Sequence, residues 1–140
     1  MTRLLKLALV VGTLIALSGL AMAKDSKAAT ATRKKLQQKV GVNEKEVGLK
    51  SFIEDLFKNT VEHEIRFKID NANGLSNNMK VSYSGKDVTV EKLLNDLSDK
   101  FDFGWYVYSD AGNNKEDGKV VIRRISKGKE RGYEAGKEPK

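Results

Sequence analysis

The stretch from Asp87 to Tyr108, DVTVEKLLNDLSDKFDFGWYVY, fixes more of the fold than any other part of the chain. Val90, Leu93, Leu94, Leu97 and Phe101 recur at helical spacing and line one face, while Glu91, Lys92, Asn95, Asp96 and Asp99 fill the other. Such a helix has to lay its apolar stripe on something. Thr89 precedes it as an N-cap, its hydroxyl placed to accept a free amide hydrogen of the first turn, and Glu91 sits near the positive end of the helix dipole. A strand follows at once: Phe103, Trp105 and Val107 project to one side, Gly104, Tyr106 and Tyr108 to the other, and both sides are largely apolar.

A second amphipathic helix stands earlier in the chain, with Leu49, Phe52, Ile53, Leu56 and Phe57 on one face and Glu54, Asp55 and Lys58 on the solvent side. VGLKSFIEDL (47–56) aligns with VTVEKLLNDL (88–97) at a constant spacing of 41 residues, matching Leu49 to Val90, Phe52 to Leu93 and Leu56 to Leu97. Two copies are too few for a solenoid. The repeat instead predicts one domain of two related helix-then-strand halves, each helix covering a sheet.

Strands are expected at Val40–Val42, at Ile65–Ile69 where apolar and charged residues alternate, at Met79–Tyr83, at Phe103–Tyr108 and at Lys119–Ile125. The Asn- and Gly-rich segments 70–78 and 110–118 read as loops. The resulting order is β-α-β-β-α-β-β, a single small α+β domain with two amphipathic helices packed on small sheets, spanning residues 40–125.

Residues 1–23 have the pattern of an export signal: Arg3 and Lys6, an apolar run from Leu7 to Leu20, and small residues at Ala21 and Ala23. The run is shorter than the roughly 20 residues that span a bilayer. Membrane contact is thus expected only through this segment, and the protein is expected to be exported to the periplasm or beyond. Cys is absent and His63 is the single histidine, which excludes disulfides, thiolate metal sites and thiol catalysis and disfavours a Ser-His triad.

The formal charge of +7 is unevenly distributed. Residues 24–39 carry six Lys or Arg against one acid and residues 119–140 eight against three, whereas residues 40–118 carry ten against fifteen. Basicity confined to the ends predicts solvated tails rather than a nucleic-acid-binding face. Accordingly 24–39, which offers one candidate for burial, Leu36, and could form a frayed helix but shows no apolar face, is expected to be a basic linker, and 126–140 a disordered basic tail.

The chemistry-bearing residues form no catalytic pattern. Glu62-His63-Glu64 are adjacent and lack a second His, so they do not make a metal site. The loops Asp70–Gly74 and Asp110–Gly118 depart from the calcium-loop spacing. Glu54, Asp55, Asp96 and Asp99 lie on solvent faces, where nothing raises a carboxyl pKa, and no nucleophile stands with a base. The expectation is a protein that is not an enzyme, with no catalytic residues, metal or cofactor. Tyr106 and Tyr108 point away from the core face of their strand; if the helices sit on one face only, these rings with Arg66 and Lys68 of the neighbouring sheet present a semi-exposed aromatic and basic surface suited to protein binding, and if the helices lie between two sheets the patch shrinks.

The pattern VGLKSFIEDLFKNT, IRFKID, MKVSYSGKDVTVEKLLNDLSDKFDFGWYVY and KVVIRRI resembles the short N-terminal domain shared by secretins and TonB-dependent receptors, known as STN, in a free-standing exported form. The resemblance covers about residues 40–125. It implies two helices packed against small sheets, no enzyme activity, and a docking role on the periplasmic side of the outer membrane, with an unidentified cell-envelope protein as partner. The expected departure from that family is that no secretin pore or receptor barrel follows the domain. The alternative reading is a binder of nucleic acid or another anionic polymer acting through the two basic ends.

Overall fold

The structure is a computed structural model and describes residues 24–112 and 114–140; the expected export signal, 1–23, lies outside the described residues. In chain order the elements are α1 (Lys27–Lys35), β1 (Lys39–Gly48), α2 (Leu49–Asp55), a single π-helical turn (Leu56–Thr60), β2 (Phe67–Ile69), a 3-10 turn (Ala72–Gly74), β3 (Lys80–Thr89), α3 (Val90–Phe101), β4 (Gly104–Val107), β5 (Val120–Arg123) and β6 (Arg131–Gly132). β1 and β3 form an antiparallel ribbon, and the other strands form a second sheet in the order β2-β5-β4-β6. This is a mixed α+β domain, as the hydrophobic patterning predicts.

Both helices bury the stripes read from the sequence. Leu49, Phe52, Ile53, Leu56 and Phe57 join Val90, Leu93, Leu94 and Leu97 in one core with Phe103, Trp105, Val107, Val120 and Ile122. α3 is bonded on both sides: Tyr83 of β3 donates its hydroxyl to Asp96 Oδ2 (2.9 Å), and the indole of Trp105 in β4 donates to Asn95 Oδ1 (2.9 Å). The helix therefore lies between the two sheets. Thr89 caps it as expected, its Oγ1 accepting from Lys92 N at 3.1 Å.

The internal repeat extends beyond the helices. β1 runs directly into α2 and β3 into α3, and the two strands pair antiparallel with Lys39 opposite Thr89 and Gly48 opposite Lys80. Each strand carries one residue with left-handed backbone, Glu46 (φ 52°) in β1 and Asp87 (φ 56°) in β3, beside a shift of register. These two positions are 41 residues apart, the same spacing as the apolar positions. Bulges add twist to a ribbon and interrupt alternation, which is why β1 and β3 are each longer than the pattern predicts.

The two ends depart most from expectation. Residues 24–39 are not a linker. Ser26 caps α1, its Oγ accepting from Ala29 N (3.0 Å), and Ala29, Thr32 and Leu36 are buried along one side. Beyond the helix, the carbonyls of Leu36 and Gln38 accept from Glu91 N and Val90 N, both at 3.0 Å. The first turn of α3 thus has its free amides satisfied by the segment that the composition assigns to solvent.

The C-terminal segment is ordered as well. β6 runs parallel to β4, pairing Arg131 with Trp105 and Gly132 with Tyr106, and Trp105 N donates to Glu130 O at 3.1 Å. Gly104 permits this approach, since a Cβ there would stand 2.6 Å from Glu130 N. Charge makes the order: Glu130, 2% exposed, receives Nε and Nη2 of Arg123 at 2.7 and 2.8 Å, Lys129 donates to Ser98 O at 3.0 Å, and Arg131 pairs with Asp99. A segment with little apolar surface is ordered here by charge-assisted hydrogen bonds.

Candidate functional site

The four residues proposed from sequence as a binding surface share the outer face of the larger sheet. Lys68 stands opposite Val121, which stands opposite Tyr106, and one row away the backbone of Arg66 bonds Val120 while Tyr108 bonds Lys119. The face is not open as expected. Tyr106 is buried, at 5% exposure, with the Arg123 guanidinium 4.7 Å from its ring centroid. Burial pushes its hydroxyl pKa up to about 12, and the nearby carboxylates of Glu134, Glu130 and Asp70 add to the rise against the opposing charge of Arg123. The C-terminal segment returns beside β4 here, with Gly132 opposite Tyr106 and the Glu130 backbone against Gly104 two residues before it.

Tyr108 is half-buried and its hydroxyl accepts from Asn114 Nδ2 at 3.1 Å. Arg66 is exposed but its guanidinium is committed to the β4–β5 loop, donating to the carbonyls of Lys115 (3.2 Å) and Asp117. Lys68 is exposed. The structure therefore brings the four onto one face without making them a free patch.

A different feature has the geometry of a binding site. Among the described residues β1 pairs only with β3, so its other edge carries unpaired backbone groups. A groove of about 280 Å³ is lined by residues of β1 and of α2 with its π turn. Its lining includes the apolar side chains of Val42, Val47, Phe52 and Leu56 and the two acids Glu44 and Asp55.

Local conformation shapes the groove. The bulge at Glu46, whose amide donates to Ser82 Oγ (2.9 Å), lets Val42 and Val47 both line it although they are five positions apart. On the other wall, α2 widens into the π turn, closed by Val61 N to Leu56 O (3.2 Å) and by Thr60 Oγ1 to Asp55 O (3.3 Å). Sequence reasoning missed this site because a bulge breaks alternation. Only the shift of apolar parity between Val42 and Val47 marks it.

A second, larger cleft of about 640 Å³ lies between the start of α1 and the C-terminal segment, reaching Val107 of β4. Its walls include Arg33 and Asp25 on one side and Tyr133, Glu134 and Lys137 on the other.

The titratable groups that depart from their ordinary values do so for local reasons. Asp96 is lowered, chiefly by the hydrogen bond from Lys92, and Asp110 by the Gly112 amide. Tyr83 is raised to about 12 by burial and by its hydrogen bond to Asp96. Arg123 is raised, first by its bonds to Glu130. Among the described residues no group of three or more His, Asp or Glu side chains is gathered to hold a metal ion. Nor, among them, is any helix long and apolar enough to cross a membrane.

Comparison of the chain with family models, with curated proteins and with solved structures gives no match.

Proposed function

We propose that this chain is an exported, non-catalytic docking module of the secretin/TonB short-domain kind, and that it receives an extended segment of a cell-envelope protein on the free edge of β1. The observation that carries the reading is the free edge of a strand that also lines a partly apolar groove. Strand addition supplies main-chain hydrogen bonds for affinity, and alternate side chains of the incoming segment fill the groove. The acids in its lining, Glu44 and Asp55, favour a segment that alternates apolar residues with Lys or Arg.

The alternative, an anionic-polymer binder acting through basic tails, loses support from the ion pairs at the ends. Arg33 is paired with Asp25, Lys129 with Asp102, Arg131 with Asp99 and Lys137 with Glu134. These cations are partly neutralised within the fold rather than displayed on free arms.

The test is capture from the organism's own envelope extract at low and high salt, with wild type and Val42→Asp side by side. A discrete protein retained at high salt by wild type and lost by the folded variant is the expected result. Equal capture by both removes the β1 edge as the surface, and recovery of nucleic acid alone, lost at high salt, favours the basic-end reading.

A further inference from the structure

The C-terminal segment is held at the edge of β4 by directional contacts rather than by apolar burial: Trp105 N donates to Glu130 O, Arg123 to both carboxylate oxygens of Glu130 and Arg131 to Asp99, and one further contact reaches across to the opposite end of the chain. β6 pairs with β4 over two residues only. Arg33 of α1 donates Nη1 to Gly132 O at 2.7 Å, lies 3.8 Å from the centroid of the Tyr133 ring, and is held by Asp25 Oδ2 at 2.6 Å from its Nε. Arg33 and Tyr133 also line the cleft of about 640 Å³ that reaches Val107. Apolar burial contributes little, because Tyr133 and Ala135 are the only apolar side chains between Glu130 and Lys137.

We propose that residues 130–137 form a releasable strap latched by Arg33, and that its release opens the edge of β4 and the ring of Tyr106 to an incoming acidic strand. This second docking edge is gated, whereas the edge of β1 stands open, and the proposal does not depend on the β1 reading. The contacts that the strap makes specify what replaces it. Glu130 satisfies Arg123 through both carboxylate oxygens, and two positions on, Gly132 lies so close to the indole that a Cβ there would be 3.3 Å from Trp105 Cη2. The occupant is therefore an extended segment of another protein, running parallel to β4, with a carboxylate followed two residues later by glycine. The charge of Arg123, left unpaired by the departing strap, requires the carboxylate.

The probe is a labelled peptide with the sequence of residues 128–137, added to the full chain, to Arg33→Gln and to Tyr133→Ala. Removing the latch raises the fraction of chains with a free edge, so the peptide is expected to bind both variants about tenfold or more tighter than wild type. The same peptide carrying Glu130→Gln is expected not to bind. In hydrogen exchange, the amide of Trp105, which donates to Glu130 O, should exchange faster in the variants while that of Leu94 in the core of α3 is unchanged. Equal peptide binding by variants and wild type, or Trp105 and Leu94 amides accelerating together, overturns the proposal. A concentration-dependent dimer that excludes the peptide also overturns it, in favour of strap exchange between two copies.

Discussion

The indole nitrogen of Trp105 donates to Asn95 Oδ1 at 2.9 Å, and the next residue on the same helix, Asp96, receives the hydroxyl of Tyr83 from the opposite sheet at the same distance. Two consecutive polar residues of α3 thus bind β4 on one side and β3 on the other. Hydrophobic stripes position the helix, and these two bonds set its rotation between the sheets.

Trp105 is 1% exposed, so its N–H has no water to turn to if Asn95 is removed. Asn95→Leu is expected to destabilise the fold by about 1–3 kcal/mol, the cost of a buried donor left without a partner. Asn95→Asp keeps an acceptor at the same place and should recover most of that loss. Urea denaturation followed by Trp105 fluorescence measures both, and equal stability of Asn95→Leu and wild type would remove the bond from the account.

Tyr83 and Tyr106 predict loss of stability at high pH. Both hydroxyls are raised from an ordinary value of 10.0 to about 12 in the folded chain. The folded state therefore holds protons that the unfolded state has already released between those values, and stability that is fully present below pH 10 declines as pH rises through about 12. Tyrosinate absorbance should show two groups titrating late, and Tyr83→Phe should leave one. Chemical denaturation across the same window should give a shallower decline in that variant.

Leu36 separates a linker from a structural element. It is 2% exposed, and its carbonyl accepts from Glu91 N at the start of α3. Leu36→Ala is expected to cost about 2–5 kcal/mol, as large-to-small changes in a core do. In a solvated linker the same change would stay within about 0.5 kcal/mol. The midpoint of urea unfolding decides between them.

The contrast between α1 and the other helices shows what the sequence makes legible. α2 and α3 bury Leu, Ile, Phe and Val at helical spacing, and that spacing is visible directly, as is the cap at Thr89. α1 buries Ala29 and Thr32, a small and a polar residue, and is anchored by contacts distant in sequence: Ser26 N to Ser109 Oγ (2.8 Å) and Thr32 Oγ1 to Gly118 O (2.5 Å). Hydropathy assigns no inward face to such a helix. The C-terminal segment is hidden for a related reason, since its order comes from charges that pair across the fold and a count of cations cannot show which are already paired. The outer-face residues Arg66, Lys68, Tyr106 and Tyr108 do fall on one side of the sheet as their parity indicates. Parity says nothing of what packs around them, and the segment beside Tyr106 is the one that composition sends into solvent.

Gly104 offers a test of that segment's seating from the β4 side. A Cβ at this position meets backbone on every near approach, Glu130 N at 2.6 Å, Glu130 O at 2.9 Å and Glu130 Cα at 3.2 Å. No rotamer change relieves such a contact, so either β6 or β4 has to shift, and Gly104→Ala is expected to cost about 1–3 kcal/mol. The shift should fall on β6, because its pairing covers two residues whereas β4 is paired with β5 along its whole length and carries Trp105 and Val107 in the core. The Trp105 amide should then lose protection in hydrogen exchange before the amides of α3 do. Gly41, where a Cβ meets nothing within 4 Å, is the control, and Gly41→Ala should change stability by less than about 0.5 kcal/mol. If Gly104→Ala were as mild as Gly41→Ala, with Trp105 still protected, the close seating of the C-terminal segment on β4 would be wrong.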